Sequence, residues 1–126
     1  YLFINRSSKV PIKKGVFAII NKMKKSYKER ALQVKVIEQN MKQSPYPVIV
    51  CGDFNDTPLS YTYNKIKRNL IDSFTISGSG IGDSYVKIPM LRIDYIMHDN
   101  KFKSYNYQKQ KKAFSDHYAI SCEIDI

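Results

Sequence analysis

The chain has 126 residues, 43% hydrophobic and 25% charged, which fits one folded domain and argues against a disordered chain. Its longest apolar run, Val16 to Ile20, falls far short of the roughly 20 residues that cross a bilayer, and the start at Tyr1 lacks the basic flank and apolar stretch of a secretory leader. The formal charge of +10 favours polyanionic partners such as nucleic acid, phosphoinositide or an anionic membrane surface, and a solvated lysine-rich surface accounts for it equally well.

Tyr1 to Ile4 reads as a strand end or loop remnant, so the chain is expected to be a piece of a longer product. Asn5 to Lys14, punctuated by Pro11 and Gly15, reads as a loop. Phe17, Ile20, Met23, Tyr27, Ala31, Val34, Ile37 and Met41 recur at steps of three and four, the stripe of an amphipathic helix, with a break possible near Ser26. Ser44-Pro45-Tyr46-Pro47 ends that helix, because proline cannot continue it. Val48 to Cys51 is a continuous apolar run and predicts a strand buried on both faces. Thr57 or Ser60 is placed to cap a short helix over Tyr61 to Arg68. Leu70 to Phe74 alternates and then enters a Gly/Ser loop, Ser77 to Gly82. That loop lacks the lysine and the strand-loop-helix setting of a nucleotide loop. Ser84 to Lys87, Leu91 to Met97, Phe102 to Gln110 and Tyr118 to Ile126 read as further strands. Cys51 and Cys122 sit inside apolar runs and read as buried free thiols. Their spacing is not that of a zinc site.

The distinctive polar residues fall at strand ends. Asp53 and Asn55 follow the Val48–Cys51 run, where open α/β sheets place ligands. Turns also favour Gly, Asp and Asn for backbone reasons alone. Asp94 lies mid-strand, where a carboxylate needs a partner. Arg92, two residues away on the same face, offers an ion pair, and a histidine held by Asp94 is the alternative. His117 follows Asp116 ahead of an apolar strand. His98 sits in a polar strand end and reads as a structural residue.

Gly52-Asp53-Phe54-Asn55, then Arg92-Ile93-Asp94-Tyr95-Ile96, then Ser115-Asp116-His117 resembles, in order and spacing, the C-terminal half of the endonuclease/exonuclease/phosphatase superfamily, from about Tyr27 to Ile124. The resemblance implies an α/β fold that is part of a four-layer α/β/β/α sandwich, deoxyribonuclease-like. This chain would supply mainly the C-terminal sheet and its helices, so residues 1–126 form the C-terminal portion of one such domain. It implies a hydrolase of phosphate esters working with Mg²⁺ or Mn²⁺. Asp53 would orient or deprotonate the attacking water, and Asn55 would hold a phosphate oxygen. Asp94 would fix the tautomer and charge of His117, which would contact the scissile phosphate, and Asp116 would sit at the metal.

The family's N-terminal features, an early Asn, a metal-binding Glu and a strand His, have no counterpart here. Glu29 and Glu38 lie on the predicted helix. The fragment alone is therefore expected to be inactive and to leave one sheet face uncovered, for the missing half of the domain or a second copy to cover. DNA or another nucleic acid is favoured as substrate by charge, and localisation stays open. A second reading is a non-catalytic basic module for nucleic acid or anionic lipid. It rests on Lys22, Lys24, Lys25, Lys28 and Arg30, and on Lys101, Lys103, Lys109, Lys111 and Lys112 interleaved with Phe102, Tyr105 and Tyr107.

Overall fold

The computed structural model describes residues 12–126, with side chains from residue 26 onward. The readings of Tyr1 to Ile4 and of residues 5–11 lie outside the described residues. The first helix, α1, spans Ile12–Gln43 without interruption. Two expectations are corrected here. Residues 12–14 are helical rather than loop, since Ile12, Lys13 and Lys14 carry no helix breaker and join directly to the stripe that follows. No break occurs at Ser26.

The chain divides into two units, Tyr1–Gln33 and Val34–Ile126. In the first, the Arg30 guanidinium lies 5.0 Å from the centre of the Tyr27 ring, and Tyr27 and Leu32 are exposed. Among the described residues no helix is long and apolar enough to cross a membrane.

The second unit holds the end of α1 and every other element. The helix stops where expected. Ser44 N–H donates to the Asn40 carbonyl at 3.1 Å, and the Ser44 hydroxyl then ties the turn by donating to the Tyr46 carbonyl at 2.8 Å. Next come β1 (Ile49–Asp53), α2 (Tyr61–Lys67), β2 (Leu70–Asp72), α3 (Ser73–Ser77), β3 (Asp94–Asp99), β4 (Lys103–Lys109) and β5 (Ile120–Asp125). Ser60 is the cap of α2, its hydroxyl accepting from Tyr63 N–H at 3.1 Å. The alternating stretch Leu70 to Phe74 is a strand only as far as Asp72, because the Asp72 carboxylate accepts from Phe74 N–H at 3.1 Å and starts α3. Ser84 to Lys87 forms only an isolated bridge, Tyr85 with His117.

One antiparallel sheet has the order β1-β3-β2, and a second pairs β4 with β5. Opposite residues in an antiparallel pair share a face. The registers Val50↔Met97, Gly52↔Tyr95 and Asp72↔Met97 therefore put Val50, Tyr95, Met97, Leu70 and Asp72 on one face. That face carries the core, in which Val34, Tyr63, Ile66, Leu70, Tyr95 and Met97 are buried and Ile37, Met41, Val48, Val50 and Phe54 pack against them. Full burial of a side chain such as Met97 contributes about 1.5–3 kcal/mol.

The other face carries Ile49, Cys51, Asp53, Asp94, Ile96 and His98. Ile49 and Cys51 are exposed. The two-sided burial expected of β1 and the burial expected of Cys51 are thus corrected, since the core covers only one side of this strand. Cys122 is half-buried and, like Cys51, a free thiol. His98 is buried, as a structural histidine should be, with Nδ1 2.8 Å from the Asp99 carbonyl.

Candidate active site

The site begins where β1 and β3 end together. Asp53 lies opposite Asp94 in the register, so both carboxylates project from the less covered face of the sheet. Gly52 just before has φ 155°, which an L side chain rarely adopts, although the space beside it is open. The loop beyond is pinned from several sides. Asn55 N–H donates to Asp53 Oδ1 at 2.7 Å, and Asn55 has a left-handed φ of 50°, which asparagine tolerates. Phe54 N–H donates to the Ile93 carbonyl at 2.9 Å, and the Phe54 ring lies 4.8 Å from that of Tyr95. The Tyr95 hydroxyl sits 2.8 Å from the carbonyls of both Asp56 and Arg92.

His117 arrives on the segment before β5. The Ser115 hydroxyl accepts from its backbone N–H at 3.0 Å, and Val86 N–H holds the Asp116 carbonyl at 2.9 Å. The Tyr85 ring meets the imidazole edge to face at 5.2 Å. The imidazole Nδ1 lies 2.8 Å from Asp94 Oδ2, and Nε2 lies 3.9 Å from Asp53 Oδ2. A carboxylate acceptor at Nδ1 puts the proton there and turns Nε2 toward Asp53. The hydrogen bond to Asp94 pushes the His117 imidazole above its ordinary value. Partial burial opposes this, and the charges of Asp94, Asp53 and Asp116 add to the rise. Ligand-type atoms of Asp53, Asp94 and His117 all lie within 4.8 Å of one another.

Residues 23–117 match the Endonuclease/Exonuclease/phosphatase family. The chain belongs to that family. Among solved structures, it resembles a mannosyl-6-phosphatase of Bacteroides thetaiotaomicron at 18% identity and TM-score 0.57, over 77% of this chain and 44% of that one. A functionally unknown conserved protein of Enterococcus faecalis matches at 19% identity and TM-score 0.67, over 76% and 44%. An endonuclease/exonuclease/phosphatase family protein of Bacteroides thetaiotaomicron matches at 20% and TM-score 0.62, over 77% and 44%. These likenesses establish the fold expected from the sequence, with this chain supplying part of the family's α/β sandwich. The chain spans less than half the length of these structures. No curated protein matches it.

Of the residues that the family motifs single out, the fold brings Asp53, Asp94 and His117 together. Asn55 is exposed beside them. Asp116 stands outside the trio, with its carboxylate half-exposed and 3.5 Å from Lys87 Nζ. Arg92 does not pair with Asp94. Its Nη1 lies 2.6 Å from Asp72 Oδ2, on the core face, so the Arg92–Asp94 alternative is overturned and the histidine-holding one stands. Tyr85 and Lys87 went unmarked as site residues, because the sequence shows them only as part of a short strand-like stretch, Ser84 to Lys87.

Larger cavities than the one at His117 lie elsewhere. One of about 370 Å³ sits among Glu38, Lys42, Lys65, Arg68 and Asp99, and one of about 630 Å³ beside Gly80 and Tyr107. The cavity against His117 is about 190 Å³, lined also by Lys112, Phe114 and Tyr118. Chemistry rather than volume marks the site. Carboxylate oxygens are the donors a hard divalent cation takes, so Asp53 and Asp94 with His117 beside them fit such an ion.

Of the second basic run, Lys109 is paired with Asp83 at 2.8 Å, and Phe102 and Tyr107 are half-buried. The side chains of Lys22, Lys24 and Lys25 lie outside the described residues.

Proposed function

We propose that this chain is part of a divalent-metal-dependent phosphoesterase that hydrolyses phosphate esters by in-line attack of water. The single observation that carries the reading is His117 Nδ1 at 2.8 Å from Asp94 Oδ2, with Nε2 facing Asp53 at 3.9 Å, in a chain of this family.

Each residue then has a task. Asp94 accepts the Nδ1 proton, fixes the ring and favours the imidazolium. The Nε2 proton of that imidazolium donates to a non-bridging phosphate oxygen, where negative charge grows in the transition state. Asp53 accepts a proton from the attacking water. The Asn55 amide donates to a second phosphate oxygen. The cation, Mg²⁺ or Mn²⁺, would sit against Asp53 and Asp94 with His117 beside them, with Asp116 near it, and would supply Lewis-acid stabilisation of phosphate charge. Tyr85 keeps the imidazole from swinging.

The substrate is a phosphate ester, and the charge of +10 suits a polyanion such as nucleic acid. The rest of the family domain, or a second copy, would cover the face bearing Ile49 and Cys51, and this piece alone would be inactive. The test is hydrolysis of bis(p-nitrophenyl) phosphate and p-nitrophenyl phosphate by the full-length protein, with Mg²⁺ and with chelator. Metal-dependent turnover lost in His117→Ala is expected. Turnover unchanged by chelator and by His117→Ala would overturn the proposal.

A further inference from the structure

We infer that Ser84 is a positioning residue of this site, its hydroxyl oxygen setting Asp94 and, through Asp94, the His117 imidazole. The inference rests on the proposed function above.

Ser84 is fully buried, in the segment that the sequence marks only as a short strand. Its Oγ accepts two backbone N–H groups, from Ile93 and from Asp94, each at 3.1 Å. A hydroxyl has two lone pairs and accommodates both. These peptide groups open β3 and carry the Asp94 side chain. Ser84 N–H also donates to the Leu91 carbonyl at 3.0 Å, and its carbonyl accepts from Tyr118 N–H at 2.8 Å. One residue therefore clamps the backbone on both sides of the Asp94–His117 pair. The next residue, Tyr85, supplies the ring packed against the imidazole and bridges His117.

Burial alone does not explain this. Ser73 and Ser104 are as deeply buried, and their hydroxyls have no hydrogen-bond partner. At Ser84, by contrast, both bonds come from backbone N–H groups, those of Ile93 and of Asp94, the residue whose carboxylate holds the histidine. Removing the hydroxyl takes the acceptor from the buried Ile93 N–H and the part-buried Asp94 N–H, and the start of β3 must shift to find new ones. Shifts on the order of 1 Å at a reacting group cost roughly 10²-fold in rate.

The experiment is proton NMR of the full-length protein, reading the deshielded Nδ1 proton of His117 and hydrogen exchange at the Ile93 and Asp94 amides. Asp94→Asn assigns the imidazole signal by abolishing it. In Ser84→Ala the signal is expected to be lost to exchange with water, and the two amides to exchange faster by about tenfold. Ser84→Thr, which keeps the acceptor, should retain both, and Ser104→Ala should change neither. If Ser84→Ala does not fold, Ser84→Cys replaces it, since sulfur is a weak acceptor of similar size, with the same loss expected. A Ser84→Ala or Ser84→Cys protein that keeps the imidazole signal and the amide protection overturns the role of Ser84. A parent protein without the signal overturns the Asp94–His117 pair itself, and with it the proposed function.

Discussion

Two carboxylates on opposite faces of the same three-stranded sheet serve different ends. Asp72 is on the core face and is fully buried. It accepts from the Tyr63 hydroxyl at 2.8 Å, from Arg92 Nη1 at 2.6 Å and from Phe74 N–H at 3.1 Å. The Arg92 guanidinium lies over Phe74 at 4.6 Å and Tyr95 at 4.8 Å. Burial, then the hydrogen bond to Asp72, pushes the Tyr63 phenol up to about 12. Asp94 is on the other face, and His117 is its side-chain partner at 2.8 Å. The imidazole is 27% exposed, enough to be reached by a solute. A charge bonded on all sides within the core holds the fold, whereas a charge bonded to one titratable ring at the surface is available for chemistry.

That contrast can be broken at either end. The largest effect is expected for His117→Ala in the full-length protein, where phosphodiester turnover should fall by at least about 10³-fold. Stability should change by less than about 1 kcal/mol, read from urea midpoints. Asp72→Ala should do the reverse. Stranding Arg92 in the core should cost about 3–5 kcal/mol, with turnover falling only as the folded fraction falls. Asp94→Asn should lower turnover by about 10²–10³-fold with little change in midpoint.

A smaller effect sharpens the comparison through pH. The His117 imidazole is raised above the ordinary 6.5 by Asp94, with Asp53 and Asp116 adding to it, so the folded state binds the proton more tightly than the unfolded chain does. The resulting stability is fully present below the ordinary value and is lost as pH rises through the raised value. Urea midpoints measured across that window should decline in the parent protein and stay flatter in Asp94→Asn. The smallest effect is expected for Lys87→Ala, since the Lys87–Asp116 pair is mostly exposed and a pair of that kind contributes about 0–1 kcal/mol.

The sequence carried the active face better than the supporting one. Each of the three motifs contains one of the residues that meet in space, Asp53, Asp94 and His117, and the helical stripe correctly marks Val34, Ile37 and Met41 as core-facing. The apolar run Val48 to Cys51 misleads because hydrophobicity on both faces of a strand says that both need cover, not that this stretch of chain provides it. Asp72 hides in an alternating segment whose pattern continues past the point where its own carboxylate begins a helix. Ser84 is invisible for a different reason. Its partners are nine and ten residues away across a loop, and no periodicity links a loop serine to a strand amide.

The most direct measurement sets Asp94→Asn beside Asp72→Asn in the full-length protein, with turnover and urea midpoint read on the same samples. The account predicts that Asp94→Asn loses turnover and keeps its midpoint, while Asp72→Asn loses its midpoint and keeps turnover per folded molecule. A turnover-competent Asp94→Asn, or an Asp94→Asn as destabilised as Asp72→Asn, would contradict it.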